Sequence, residues 1–135
     1  LISPDRFAQI GIRSGPRDEF EWMRAHGTLH QDVATDLASV RKRLEGCSVY
    51  LTLDLDVLDP SILPGTGTPE PGGLTYRELA DWLYGLRGLN FVGADIVELS
   101  PHYDASGVSS VVAAKVAREV MMALASAKGS PLRGI

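Results

Sequence analysis

The chain has 135 residues, 44% hydrophobic and 22% charged, enough to bury a core within one compact domain. Its net charge of -4 leaves no basic footprint for nucleic acid, and no apolar run reaches the length of a membrane-spanning helix. A single cysteine, Cys47, excludes an intrachain disulfide framework and gives no metal motif; with no secretory signal, the expected setting is the cytoplasm. The basic cluster Arg41, Lys42 and Arg43 is offset by Asp36 and Glu45 and reads as a solvated helix face. The chain begins at Leu1 without a Met, so it reads as processed, truncated or a fragment.

In chain order, residues 6–13 (RFAQIGIR) predict a short strand stopped by Gly15 and Pro16. Residues 18–26 predict a helix with Gly27 at its C-terminal cap, and 28–31 a brief extended piece. Asp32 is placed to N-cap a helix in which Val33, Leu37, Val40 and Leu44 recur at helical spacing, closed by Gly46. Residues 47–55 are too apolar for a strand half exposed to water and suit the centre of a parallel sheet. A loop rich in Pro and Gly, 57–73, leads to the capping-box pattern Thr75-Tyr76-Arg77-Glu78. That pattern opens a helix carrying Leu79, Trp82, Leu83 and Leu86, ended by Gly88. Residues 90–99 give the next strand. The last helix is expected over 107–127, with Val108, Val111, Val112, Val116, Val120 and Leu124 in the core and Gly129 as terminator.

Strands alternating with helices indicate an α/β protein with a parallel sheet, in which ligands bind beyond the carboxyl ends of the strands. Asp54, Asp56 and Glu98 fall at such ends. Alternation puts Thr52, Asp54 and Asp56 on one strand face, with the two carboxylates roughly 7 Å apart. A fold keeps such a repelling pair most readily if a cation sits between them, and oxygen donors suit Mg²⁺, Mn²⁺ or Ca²⁺. The plainer alternative is that both are turn residues; Asp59, before Pro60, reads as a turn starter.

Other chemistries match less well. Gly65-Thr66-Gly67 would need a third glycine where Glu70 stands, and a P-loop lysine is missing. An EF-hand fails because Leu58 occupies a ligand position. A D-x-D phosphohydrolase would need a downstream lysine and an acidic pair, whereas Lys115 lies within an apolar helix pattern. By alternation Glu98 shares a face with Val92, Ala94 and Ile96, and Asp95 points the other way; spacing alone favours a functional role for either no more than a solvent-facing Glu98 and a structural, hydrogen-bonding Asp95. His26 and His30 read as surface or hydrogen-bonded histidines, and His102, just past Glu98, stays open. Ser106, Ser109 and Ser110 lie at a helix start without a nucleophile-elbow sequence. Cys47 reads as buried and inert.

The run LTLDLDVLDPSILPGTGTPEPGGLT closely resembles the signature of the ureohydrolases, the arginase and agmatinase family, and GADIVELSPHYD resembles the same family's segment after the next strand. With the QIGIR strand and the last helix, the resemblance covers essentially the whole chain. The Pro-Gly-Thr-Gly-Thr-Pro-Glu form looks more like agmatinases and guanidino-acid hydrolases than arginases. The resemblance implies a three-layer α/β/α sandwich with a parallel sheet, of which residues 1–135 would be the C-terminal part of a single domain. It implies manganese-dependent hydrolysis of a guanidino compound, agmatine foremost, to urea and an amine. Asp54 would bridge a pair of Mn²⁺ ions, Asp56 would complete the second, and Glu98 would meet the substrate's guanidinium. The family's Gly-Gly-Asp-His and Asp-Ala-His motifs and its proton-shuttling histidine are not in this chain, so no catalytic residue is assigned here and the isolated chain should not hold a complete dinuclear site. The family further implies a homo-oligomer, a trimer or hexamer. Half a sheet would expose an edge and apolar surface, so the isolated chain is expected to associate. Two competing readings are a metal-free structural or regulatory subunit of ureohydrolase type and a D-x-D metal phosphohydrolase.

Overall fold

The structure is a computed structural model that describes residues 2–127. After a 3₁₀ turn at Pro4–Arg6 come β1 (Gln9–Ile10), α1 (Arg17–Ala25), β2 (Leu29–His30) and α2 (Val33–Leu44). Then follow β3 (Ser48–Asp54), a 3₁₀ turn at Leu55–Val57, α3 (Tyr76–Gly85), β4 (Asn90–Val97), a 3₁₀ turn at Pro101–Tyr103 and α4 (Val108–Ala125). Every helix and strand expected from the sequence is present. The expected strand over 6–13 shrinks to two residues, because Pro4 begins a 3₁₀ turn and Gly11, at φ +72°, leaves the extended region. Gly129 lies outside the described residues, as does the side chain of Val33.

Both strand pairs are parallel. β1 pairs with β2, and β3 pairs with β4 with Thr52 opposite Asp95 and Asp54 opposite Val97. Among the described residues these are two separate two-stranded sheets, so β3 has a hydrogen-bonded neighbour on one side only. The expected central position is therefore not seen, and the strand alternates between buried and open residues.

One face of the β3–β4 sheet carries the core. Leu53 and the following Leu55, Leu58 and Leu63 pack against Leu79 and Leu83 of α3 and Ala113, Val116 and Val120 of α4. A second cluster joins Val49 and Phe91 to Val40 of α2, Trp82 of α3, Leu86 just past the end of α3 and Ala123 of α4, with Ala8, Ile10 and a half-buried Cys47 against it. Cys47 is thus less enclosed than expected. The other sheet face is open: Tyr50 is 61% exposed and Val92 63%. The parallel α/β architecture is thus present with one helical layer on β3–β4 among the described residues.

The capping box forms at α3: the Thr75 hydroxyl accepts from the Glu78 N–H, and the Glu78 carboxylate accepts from the Thr75 N–H at 2.8 Å. At the other end of that helix Arg41 of α2 donates to the carbonyls of Gly85 and Arg87, supplying partners that a helix C-terminus otherwise lacks. α4 departs from expectation. Its buried positions are Ser109, Ala113, Val116, Val120 and Ala123, while Val108 and Val111 are exposed. Val116 and Val120 are buried and Val112 and Leu124 pack against the core as expected, but the stripe starts at the hydrogen-bonded Ser109 in place of Val108, and Val111 lies off it.

Candidate metal and substrate site

β3 ends at Asp54 because the chain turns there. Asp54 Oδ1 accepts the backbone N–H of Asp56 at 2.9 Å, closing the 3₁₀ turn Leu55–Val57, and the fully buried Leu55 anchors that turn in the core. Asp56 is therefore not on the strand, and the expected two-residue alternation ends at Asp54, two residues before it. The two acids are still brought together, by a turn instead of a pleat. Partial desolvation pushes the Asp54 carboxyl above the usual carboxylate range, and the negative charges of Asp56 and Glu98 push it further.

Glu98 follows β4 and sits at φ +65°, the one non-glycine residue with positive φ among those described. The expected shared face of Val92, Ala94, Ile96 and Glu98 is not kept: the register skips Val92 between the pairs Val49–Phe91 and Tyr50–Gly93, leaving it exposed while Ala94 and Ile96 pack on the core, and Glu98 lies beyond the strand end at Val97. A left-handed backbone at a side-chain-bearing residue costs energy and marks a functional position as a hypothesis. Asp95 is structural in its contacts: its Oδ1 accepts from the Thr52 hydroxyl at 2.7 Å across the sheet. Its hydrogen bond and then its charge also push up the Tyr50 phenol.

The glycine-rich loop bridges the acids. Thr68 Oγ1 donates to Asp56 Oδ2 at 3.2 Å, and a Cβ on Gly67 would lie 3.4 Å from Glu98 Oε2. Asp59 staples the loop to itself. Its Oδ1 accepts from the Ser61 N–H and hydroxyl at 2.9 and 2.6 Å, and its Oδ2 from the N–H groups of Gly72 and Gly73 at 2.9 and 3.3 Å. These bonds, the Ser61 hydroxyl foremost, hold its pKa down to about 2. Asp59 is thus the turn starter the sequence suggests. Arg13 grips both limbs of the loop, donating to the carbonyls of Asp56, Val57 and Glu70.

A second network fixes the loop from behind. Buried Asp104 accepts from Ser106 and from the Ser109 N–H, and Ser109 Oγ accepts from the Gly65 N–H. The Ser106 and Ser109 bonds hold the Asp104 carboxyl well below the usual range. The Ser100 N–H donates to Gly65 O at 2.8 Å, so the segment after Glu98 is tied to the same glycine. Arg13, Thr68, Asp104 and Ser109 escape sequence reasoning. Only the Asp104–Ser106–Ser109 spacing before an apolar helix carries a local signal, that of a helix start.

The histidines do not join the acids through any hydrogen bond or ion pair among the described residues. His102 lies against Tyr103 with ring centroids 4.1 Å apart and the rings tilted by 45°, and His26 stacks on Trp22 at 4.3 Å. His30 is buried 3.7 Å from Asp36, and burial pushes its pKa down.

Asp54, Asp56 and Glu98 therefore surround one loop, with no Lys or Arg within ion-pair distance of them among the described residues. Hard oxygen donors in mutual repulsion fit a divalent cation as part of its ligand shell. No group of three or more His, Cys, Asp or Glu among the described residues could hold a metal ion by itself. No described helix is long and apolar enough to cross a membrane.

Residues 1–123 match the family described as the Arginase family. An agmatinase of Bacillus anthracis is 46% identical over 126 residues, covering 90% of this chain and 43% of that protein. A guanidinobutyrase of Pseudomonas aeruginosa is 37% identical over 134 residues, covering 92% of this chain and 42% of that protein. The solved structure of proclavaminate amidino hydrolase from Streptomyces clavuligerus matches with a TM-score of 0.82 at 34% identity, over 91% of this chain and 44% of that one. The chain spans less than half the length of these relatives.

Proposed function

This chain belongs to the arginase family, and from that premise we propose that it is the C-terminal part of a single hydrolase domain that cleaves a guanidino compound, agmatine foremost, to urea and an amine with manganese. Agmatinase and guanidinobutyrase among the relatives support a guanidino substrate. The observation that carries the reading is the gathering of Asp54, Asp56 and Glu98 around one loop without a basic partner among the described residues.

In this reading Asp54 and Asp56 hold the metal, with further ligands supplied from outside this chain. Manganese, when bound, supplies Lewis-acid activation of water at neutral pH. Thr68 fixes the rotation of the Asp56 carboxylate through its bond to Oδ2. Glu98 receives the planar guanidinium, which a carboxylate can bind with two parallel hydrogen bonds. Gly67, lacking a side chain, leaves Glu98 Oε2 uncovered on the loop side. The group that moves the proton to the leaving amine also lies outside this chain. We place the assembled enzyme in the cytoplasm as a homo-oligomer.

Calorimetric Mn²⁺ titration of the complete polypeptide tests the reading. Wild type should bind, and Asp54→Asn and Asp56→Asn should each lose most of that affinity. Unchanged Mn²⁺ binding in both variants would refute the assignment of these ligands.

A further inference from the structure

We propose that Arg13 is the positioning residue of the acid-bearing turn, holding Asp56 in the orientation in which it meets a divalent cation; the inference rests on the metal reading above. Arg13 Nη2 donates to Asp56 O at 2.7 Å and to Glu70 O at 2.8 Å, and Nη1 donates to Val57 O at 3.1 Å. These carbonyls belong to the entry and exit limbs of the loop that carries Thr68. One guanidinium thus sets the spacing of both limbs. Asp56 is gripped twice, at its carbonyl by Arg13 and at its carboxylate by Thr68.

The approach is close enough to be specific. A Cβ on Gly11 would lie 2.8 Å from Val57 Cγ2, so the exit of β1 meets the turn with no room for a side chain. Among the described residues Arg13 Nε is buried without a partner, and the guanidinium is oriented by the carbonyls at its two terminal nitrogens. A planar fork can serve three carbonyls in fixed directions; a lysine ammonium at the end of a flexible stem cannot hold the same set. Groups behind a metal ligand orient it, and their loss typically weakens metal binding about 10- to 100-fold.

The test uses the complete polypeptide. Mn²⁺ affinity is measured by calorimetry for wild type, Arg13→Lys and Arg13→Met, with circular dichroism and thermal midpoints alongside. The expected result is a folded variant with Mn²⁺ affinity lowered about 10- to 100-fold in Arg13→Met and by less in Arg13→Lys. Lower thermal midpoints with unchanged Mn²⁺ affinity would make Arg13 merely structural and overturn the inference. If neither variant folds, hydrogen exchange on the wild type decides. Mn²⁺ should slow the amides of Asp59 and Leu74, which close the loop, and that of Gly11 at the exit of β1; no change at Gly11 overturns the inference. A wild type that binds no Mn²⁺ overturns the metal reading and this inference with it. A wild type that binds Mn²⁺ no better than folded variants overturns this inference alone.

Discussion

The backbone N–H of Gly65 donates to Ser109 Oγ at 2.8 Å, a buried bond that joins the glycine loop to the first turn of α4. Ser109→Ala leaves that donor unsatisfied and should destabilise the fold by about 1–3 kcal/mol. Gly65→Ala should be at least as damaging, because its Cβ would lie 2.8 Å from Ser109 Oγ and Cβ. Denaturant unfolding of both variants checks this; midpoints equal to wild type would contradict it.

Stability should fall in acid through Asp59 and Asp104. Both carboxyls lie below their unfolded value of about 3.9, Asp59 at about 2. Their contribution is therefore fully present above about pH 5 and is lost as pH falls through the folded values. Unfolding midpoints measured from pH 7 to pH 2 should decline most steeply below pH 4. Asp104→Asn should flatten the profile, and an equally steep decline in that variant would exclude Asp104 as a source.

Asp54→Asn should separate stability from function. Asparagine keeps the oxygen that accepts the Asp56 N–H but removes the charge that Asp56 and Glu98 oppose. In metal-free protein the variant should gain stability, by at most about 1 kcal/mol because solvent screens this open strand end. Metal binding by the complete polypeptide should collapse. Thermal midpoints with and without Mn²⁺ read both effects, and a variant still stabilised by Mn²⁺ as wild type is would argue against the metal role.

Glu98→Gly makes the same kind of trade through the backbone. At φ +65° glycine should relieve up to about 1 kcal/mol of strain. Losing the carboxylate should cost the substrate's guanidinium about 2–5 kcal/mol, at least about thirtyfold in kcat/KM. Unfolding and steady-state kinetics on the complete polypeptide check the two halves separately.

The 135-residue chain by itself should associate as its concentration rises. Among the described residues Tyr50, Val92 and Val97 are 61%, 63% and 42% exposed on the uncovered sheet face, and β3 has an unpaired edge. Light scattering should show mass growing with concentration, whereas a monomer throughout would contradict it.

The parts legible in the sequence are those fixed by local chemistry. Thr75 and Glu78 announced α3, and the spacing of Leu37, Val40 and Leu44 announced α2. The run into Asp54 announced a strand end. What stayed hidden depends on tertiary contact. Asp56 leaves the strand because Asp54 captures its N–H, and the expected face of Glu98 is lost because the register skips Val92 and the strand ends at Val97. On α4 the valines at 108 and 111 read as core, yet Ser109 is buried because Gly65 supplies its partner. Arg13 acts on carbonyls 43 and 57 residues away, and nothing in its neighbourhood of sequence signals them.

Urea release from agmatine and other guanidino compounds by the complete polypeptide, with and without Mn²⁺, tests the central claim most directly. The account predicts manganese-dependent urea production that Asp54→Asn and Asp56→Asn each reduce at least about a hundredfold. Urea release that persists in those variants, or hydrolysis of a phosphate ester in place of every guanidino compound, would contradict it.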